Sequence, residues 1–367
     1  MKNKINLITL IVIAFVTLSF TFASWTKADE EYSQSERREI AQKPTLSAQT
    51  ILSGDFMSDF EHYKVDQFPL RDKLRGIKAL FSRYIFNKKD NNGLYSADGH
   101  LSKIEYPLNN QMVEYAKNKF DYIYNTYLKD NDVNIYLSLV PDKNYFLAEK
   151  NGYLSIDYDS FIRDFTNKMD YMTYINIFDK LSIDDYYTTD SHWKQENITD
   201  VAEFIANSMG TNAKSEYTIN TLDNPFNGVY LGQSALPFKS DTIKYLTNDM
   251  LDNCVVTYYD TGSPLKGEMY NMKKAYGKDP YEMFLSGTSS LITIENPDAS
   301  SDKELVIFRD SFAGAIAPLL SQAYSKITLV DIRYIQSAFV GNFVDFDKQD
   351  VLFLYSTTLI NNSTAMR

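Results

Sequence analysis

Five strand-length runs in this chain are mostly apolar, Val133 to Val140, Ser290 to Ile294, Leu305 to Phe308, Lys326 to Val330 and Val351 to Tyr355, and Leu305 to Phe308 and Val351 to Tyr355 show no alternation at all. A strand with one wet face alternates polar and apolar residues. One that does not alternate is buried on both faces and belongs to a sheet with helices packed on each side. Helical patterns fall between the runs, at Asn110 to Lys129, near Ser160 to Leu181, from about Trp193 to Met209, and at Phe312 to Tyr324. The expectation is an α/β fold around a mostly parallel sheet.

The rest of the chain is less regular. Ile51 to Phe86 carries apolar residues at helical spacing, interrupted at Asp66 to Asp72, where Pro69 can open a new helix that runs from about Arg71 to Phe86. Asp98-Gly99 between apolar flanks signals a hairpin. The stretch from about 211 to 277 lacks helical periodicity and is rich in turn signals such as Asn224-Pro225 and Asn227-Gly228, so it reads as an irregular insertion with β character.

Lys2 and Lys4 precede Ile5 to Ala23, nineteen residues without a charge. That length favours an uncleaved membrane anchor over a signal sequence, although Thr21-Phe22-Ala23 is a passable cleavage site. Lysines before the span and acidic residues after it put the body outside the cell. The expected organisation is a membrane helix at 1–24, a polar stalk at 25–50 and one extracellular domain at 51–367. A net charge of −11 argues against nucleic acid as a partner. One cysteine and three scattered histidines give no compact metal-ligand set, and no cofactor is expected.

Three histidines also limit where histidine chemistry can occur. His62 has no acid at useful spacing, His100 follows a turn, and His192 has Asp190 two residues before it. A carboxylate beside a histidine can fix its tautomer, leaving the second ring nitrogen to take a proton from a hydroxyl. Asp190 and His192 precede the helix expected at Trp193, so helix capping is the competing structural explanation for Asp190. A nucleophile is available at Ser311, in Arg309-Asp310-Ser311-Phe312, where a strand-like run meets a helix-like one. Backbone N–H groups at that helix start could stabilise an oxyanion. Alone, Asp-Ser between a strand and a helix is commonly no more than a cap.

Several motifs occur together in order: Asp66-Gln67-Phe68-Pro69, Gly93-Leu94-Tyr95, Pro141-Asp142-Lys143, Asp190-Ser191-His192-Trp193, Arg309-Asp310-Ser311-Phe312 and Asp331-Ile332-Arg333-Tyr334. In this the chain resembles the DHHW family, which is similar to the SGNH hydrolase-like domain of alginate O-acetyltransferases of the AlgX/AlgJ type. The resemblance implies a flavodoxin-like, three-layer α/β/α fold. It also implies a Ser311–His192–Asp190 triad with the Asp-x-His element ahead of the serine, the reverse of the usual SGNH order. Gly287, Thr288, Arg333 and Tyr355 fall near positions that line the site or hold the oxyanion, the last with the N–H groups of Gly287 and Ser311. Arg333 could equally form a salt bridge, and Tyr355 could be a sheet-end aromatic.

Two positions depart from the family pattern. Ser191 replaces the first histidine of Asp-His-His-Trp, and Thr288 stands where an asparagine would supply an amide donor. The implied activity is O-acetyl transfer or acetyl-ester hydrolysis on cell-surface polysaccharide, with a membrane-bound acyltransferase relaying the acetyl group in the transfer case. The alternative is a non-catalytic carbohydrate-binding or assembly protein on the same fold. Serine-to-alanine replacement at 311 separates the two.

Overall fold

The computed structural model describes residues 2–299 and 301–367. They form two compact units, Met1–Asn92 with Leu231–Phe238, and Gly93–Tyr230 with Lys239–Arg367. The division falls at 92/93, past the start expected at 51, so the helices of 51–92 group with the N-terminal segment.

In the first unit, α1 (Lys2–Thr26) includes a 23-residue stretch long and apolar enough to cross a membrane. The polar residues after it, expected as a stalk, are tied to a second helix, α2 (Asp55–Asp66). Tyr63 donates to Asp29 at 2.9 Å, and Gln67 donates to the Glu30 carbonyl at 2.7 Å. Arg38 pairs with Asp66 at 2.6 Å, one of the bonds that hold the Asp66 carboxyl down at about 2. A third helix, α3 (Arg71–Leu80), continues through a wider π turn at Phe81–Ile85, close to the expected end at Phe86.

The second unit is built on an eight-stranded sheet. In chain order its strands are β1 (Asn134–Val140), β2 (Thr173–Tyr174), β3 (Val255–Tyr258), β4 (Leu265–Gly267), β5 (Leu291–Glu295), β6 (Glu304–Arg309), β7 (Lys326–Val330) and β8 (Asp350–Ser356). Their spatial order is β4-β3-β5-β7-β6-β8-β1-β2. Strands β7, β6, β8, β1 and β2 run parallel, while β5, β3 and β4 join by antiparallel pairings. All five expected strands form. β3 and β4 lie in the stretch expected as an irregular insertion, yet they extend the sheet.

The absence of alternation has its expected cause. On β6, Leu305 and Ile307 face one core with the helices α7 (Thr199–Ser208) and α8 (Ala313–Leu320), while Val306 and Phe308 face a second with α4 (Asn110–Ile123) and α6 (Tyr158–Asn167). These four β6 side chains are at most 2% exposed, and each contributes about 1.5–3 kcal/mol by leaving water. The helix expected from Ser160 to Leu181 is shorter, ending as α6 at Asn167. After it the chain extends as β2, and Ile175 donates to the Leu137 carbonyl of β1 at 2.8 Å. Asp98-Gly99 makes the expected hairpin, with φ of +47° and +79° at its two central residues. Because β1, β6 and β8 are parallel, the residues that follow Val140, Arg309 and Ser356 share one edge of the sheet.

Candidate active site

Ser311 sits at that edge, on the turn from β6 to α8. Asp310 fixes the turn: its two carboxylate oxygens accept from the N–H groups of Phe312 at 3.0 Å and of Ser356, at the end of β8, at 2.8 Å. The serine hydroxyl is half-buried, and its N–H meets no acceptor among the described residues.

His192 approaches from a separate loop. That loop is closed by an isolated bridge between Tyr186 and Trp193 and by the Tyr187 N–H donating to the His192 carbonyl at 3.0 Å. Helix α7 begins only at Thr199, after a 3-10 turn at Gln195–Asn197, so the helix expected from Trp193 starts late and Asp190 does not cap it. The intervening residues pin the loop to the serine's turn instead. Trp193 donates from Nε1 to the Phe312 carbonyl at 3.1 Å, and Gln195 donates from Nε2 to the Ala315 carbonyl at 2.8 Å.

These constraints produce a continuous polar chain. Asp190 Oδ1 lies 2.6 Å from His192 Nδ1, and His192 Nε2 lies 2.8 Å from Ser311 Oγ. An ionised carboxylate only accepts, so Nδ1 carries the hydrogen and Nε2 is left to accept from the serine. Asp190 is 1% exposed, and its second oxygen accepts from the Val229 N–H at 2.8 Å. Ser191 contributes only 3.5 Å contacts to Asp190 and His192. Tyr281 stacks on the imidazole, its ring centroid 4.0 Å away and 15° from parallel, so the histidine ring is held on its face as well as at its edge.

Two supports were not assigned a role from the sequence. Lys143, the first residue of α5 (Lys143–Asn151), is buried and donates to the carbonyls of Tyr187, Thr188 and Asp190 at 2.7, 3.0 and 3.1 Å. Burial pushes its ammonium down to about 7, against the attraction of Asp190 and Asp241. Asp241 accepts from the Thr188 N–H, the Thr189 N–H and the Thr189 hydroxyl at 2.9, 2.7 and 2.6 Å. Gly228 passes so close that an added Cβ there would lie 2.3 Å from the Thr189 carbonyl carbon.

The other candidates make no hydrogen bond to Asp190, His192 or Ser311 among the described residues. Gly287 adopts φ +67° and its N–H donates to the Phe284 carbonyl at 3.1 Å, so that N–H is already committed to its own turn. Thr288 is exposed. The carbonyls of Gly287 and Ser289 accept from Arg309 at 3.2 and 2.9 Å, and burial lowers the pKa of this guanidinium. Arg333 makes a forked pair with Asp331 at 2.9 and 2.6 Å; burial opposes its charge, but Asp331 outweighs burial and raises its pKa. Tyr355 is fully buried, its ring 5.1 Å from Phe120 and its hydroxyl without a partner among the described residues.

No protein-family model matches the chain, and no curated protein matches it. Solved structures do. A DHHW family protein from Eubacterium siraeum aligns with 75% of this chain and 94% of its own, with a TM-score of 0.59 at 20% identity. The two share a fold. PatB1 of Bacillus cereus, in a structure with a sulfonyl adduct, aligns with 73% of this chain and 97% of its own, with a TM-score of 0.56 at 20% identity. The O-acetyltransferase domain of Pseudomonas putida AlgJ aligns more loosely, over 73% of this chain and 92% of its own, at a TM-score of 0.42 and 11% identity. The DHHW-type fold thus accounts for the sheet that carries Ser311, while the chemistry of the site rests on its own geometry.

Proposed function

We propose that this chain is an extracytoplasmic serine-type acyl-ester enzyme, an O-acetyltransferase or acetylesterase acting on cell-surface polysaccharide through Ser311, His192 and Asp190. The observation that carries the reading is the unbroken Asp190–His192–Ser311 hydrogen-bond chain. Acyl transfer needs a nucleophile, a base and a group that orients the base, all within hydrogen-bond reach.

In this mechanism Ser311 Oγ attacks the acetyl carbonyl while its proton passes to His192 Nε2. Asp190 accepts from Nδ1–H and stabilises the imidazolium. The Ser311 N–H, two residues before α8 and without an acceptor among the described residues, is the donor left to stabilise the oxyanion. Collapse of the tetrahedral intermediate expels the donor oxygen, which takes the proton from His192, and leaves acetyl-Ser311. A sugar hydroxyl or water then gives its proton to His192 and takes the acetyl group, and His192 returns that proton to Ser311 Oγ as the acyl–oxygen bond breaks.

The resemblance to the DHHW family and to alginate O-acetyltransferases supports polysaccharide as acceptor or substrate, and α1 supports a location at the membrane. In the transfer case a membrane-bound acyltransferase delivers the acetyl group. The engaged Gly287 N–H favours a second reading, a carbohydrate-binding or assembly protein with a weakened oxyanion site. Release of acetate from a chromogenic acetyl ester by the wild type and Ser311→Ala decides between them. Ser311-dependent turnover supports the enzyme, and equal, background rates in two folded proteins support the binding protein.

A further inference from the structure

In the first unit, α3 and the π turn that continues it are packed inside out. Among their less exposed residues are Arg71, Arg75, Gly76, Ala79 and Ser82, with Arg71 and Arg75 held by Glu36 at 2.6 and 3.2 Å. The opposite stripe is apolar and open to solvent: Ile77 is 50% exposed, Phe81 52%, Tyr84 69% and Ile85 67%. The helix periodicity is that of an ordinary amphipathic element, but the face normally buried in a soluble domain is the one left outside. A contiguous apolar stripe of this kind marks an interaction surface. Beside it, a groove of about 740 Å³ is lined by Phe60, Val65, Phe68 and Leu74, with Lys64 and Lys78 among its charged residues.

Two further observations say what covers this face. The first is continuity with α1. Phe20 of that helix stacks on Phe68 with ring centroids 5.3 Å apart. Asp29 and Glu30, just past the end of α1 at Thr26, hydrogen-bond Tyr63 and Gln67. The connection from α2 to α3 is therefore tied to the point where α1 ends. The second is charge. Residues 71–89 hold seven lysines and arginines against the single Asp72, in a chain whose net charge is −11, although Arg71 and Arg75 of these are spent on Glu36. Lys73, Lys78 and Lys88 are exposed beside the apolar stripe. Basic residues flanking an aromatic and aliphatic face are the pattern of a helix lying in a membrane interface, where lysines and arginines are drawn to an anionic surface.

We propose that α3 and its π turn lie in the headgroup layer of an anionic bilayer, with Ile77, Phe81 and Ile85 toward the acyl chains and Lys73, Lys78 and Lys88 at the lipid phosphates. The inference rests on α1 being held in the membrane. It gives the first unit a second membrane contact beyond the single span.

The test uses the full chain with Cys254→Ser and one new cysteine, Phe15→Cys, Ile77→Cys or Phe81→Cys, labelled with an environment-sensitive dye and reconstituted into vesicles. Vesicles of phosphatidylcholine with phosphatidylglycerol are compared with phosphatidylcholine alone, each with and without doxyl-labelled lipid. The expected result is quenching by doxyl lipid at all three positions, severalfold weaker at 77 and 81 when phosphatidylglycerol is omitted. Quenching at 15 with dyes at 77 and 81 remaining in water would overturn the proposal, assign the face to a protein partner, and leave the anchor intact. No quenching at any position would remove the anchor and the proposal together. Equal quenching at 77 and 81 in both vesicle types would overturn the role given to the lysines.

Discussion

His192 Nε2 lies 2.8 Å from Ser311 Oγ, although 119 residues of chain separate them. The approach is set by contacts that do not involve either group. Trp193 and Gln195 fasten one loop onto the Phe312 and Ala315 carbonyls, and Asp310 fastens the other turn onto β8. A hydrogen bond held from both sides in this way is set by the fold, which is what the proposed proton transfer needs.

Asp190→Asn tests the orienting carboxylate. The amide can present an N–H to Nδ1 and stabilise the wrong tautomer, so acetyl-ester turnover should fall by about 10⁴-fold while the protein stays folded. Steady-state kinetics beside circular dichroism checks this. A loss of less than tenfold in folded protein contradicts the role given to Asp190.

Lys143→Met tests the buried ammonium under the active-site loop. The folded group sits at about 7, below its ordinary 10.5. Between those values the unfolded chain holds the extra proton, so wild-type stability should rise with pH relative to the variant, by up to about 1.4 kcal/mol per pH unit. Urea unfolding of both proteins at intervals from pH 6 to 10 measures the difference. A flat difference contradicts burial of the charge.

Gly228→Ala tests the close passage beside Thr189. The new methyl meets the Thr189 carbonyl carbon at 2.3 Å, backbone against which it cannot rotate away. A stability loss of about 1–3 kcal/mol or more is expected, as for overpacked cores. A melting temperature equal to that of the wild type contradicts the fit.

Tyr355→Phe separates a structural tyrosine from one that serves the site. Its hydroxyl is buried and meets no partner among the described residues, and leaving such a group unsatisfied costs about 1–3 kcal/mol. Removing it should leave turnover unchanged and the melting temperature equal or higher. A tenfold loss of turnover with unchanged stability returns Tyr355 to the active site.

The sheet was readable because its strands are buried on both faces and so cannot alternate, and Leu305 to Phe308 carries that signal in four residues. His192 and Ser311 could be singled out as a candidate pair because histidine is rare here and Ser311 sits at a strand-to-helix change, and the fold brings them within 2.8 Å. Asp190 read equally as a helix cap, since nothing local shows that Trp193 and Gln195 are spent holding another loop, which delays α7 to Thr199. Lys143 could not be given a role. A lysine normally reads as a solvated charge, and its three carbonyl acceptors lie more than forty residues away. The spacing of Leu74, Ile77, Phe81 and Ile85 shows that α3 has an apolar face but not which way it points.

Modification by a sulfonyl fluoride tests the central claim most directly. Attack by Ser311 Oγ forms a sulfonate ester and expels fluoride, with His192 taking the proton, so the adduct reports an activated serine without any need for the natural acceptor. Peptide mass mapping of the full chain should place a single adduct on Ser311 in the wild type and lose it in His192→Gln. An unmodified Ser311 in folded wild-type protein, or an adduct that forms equally in His192→Gln, would contradict the account.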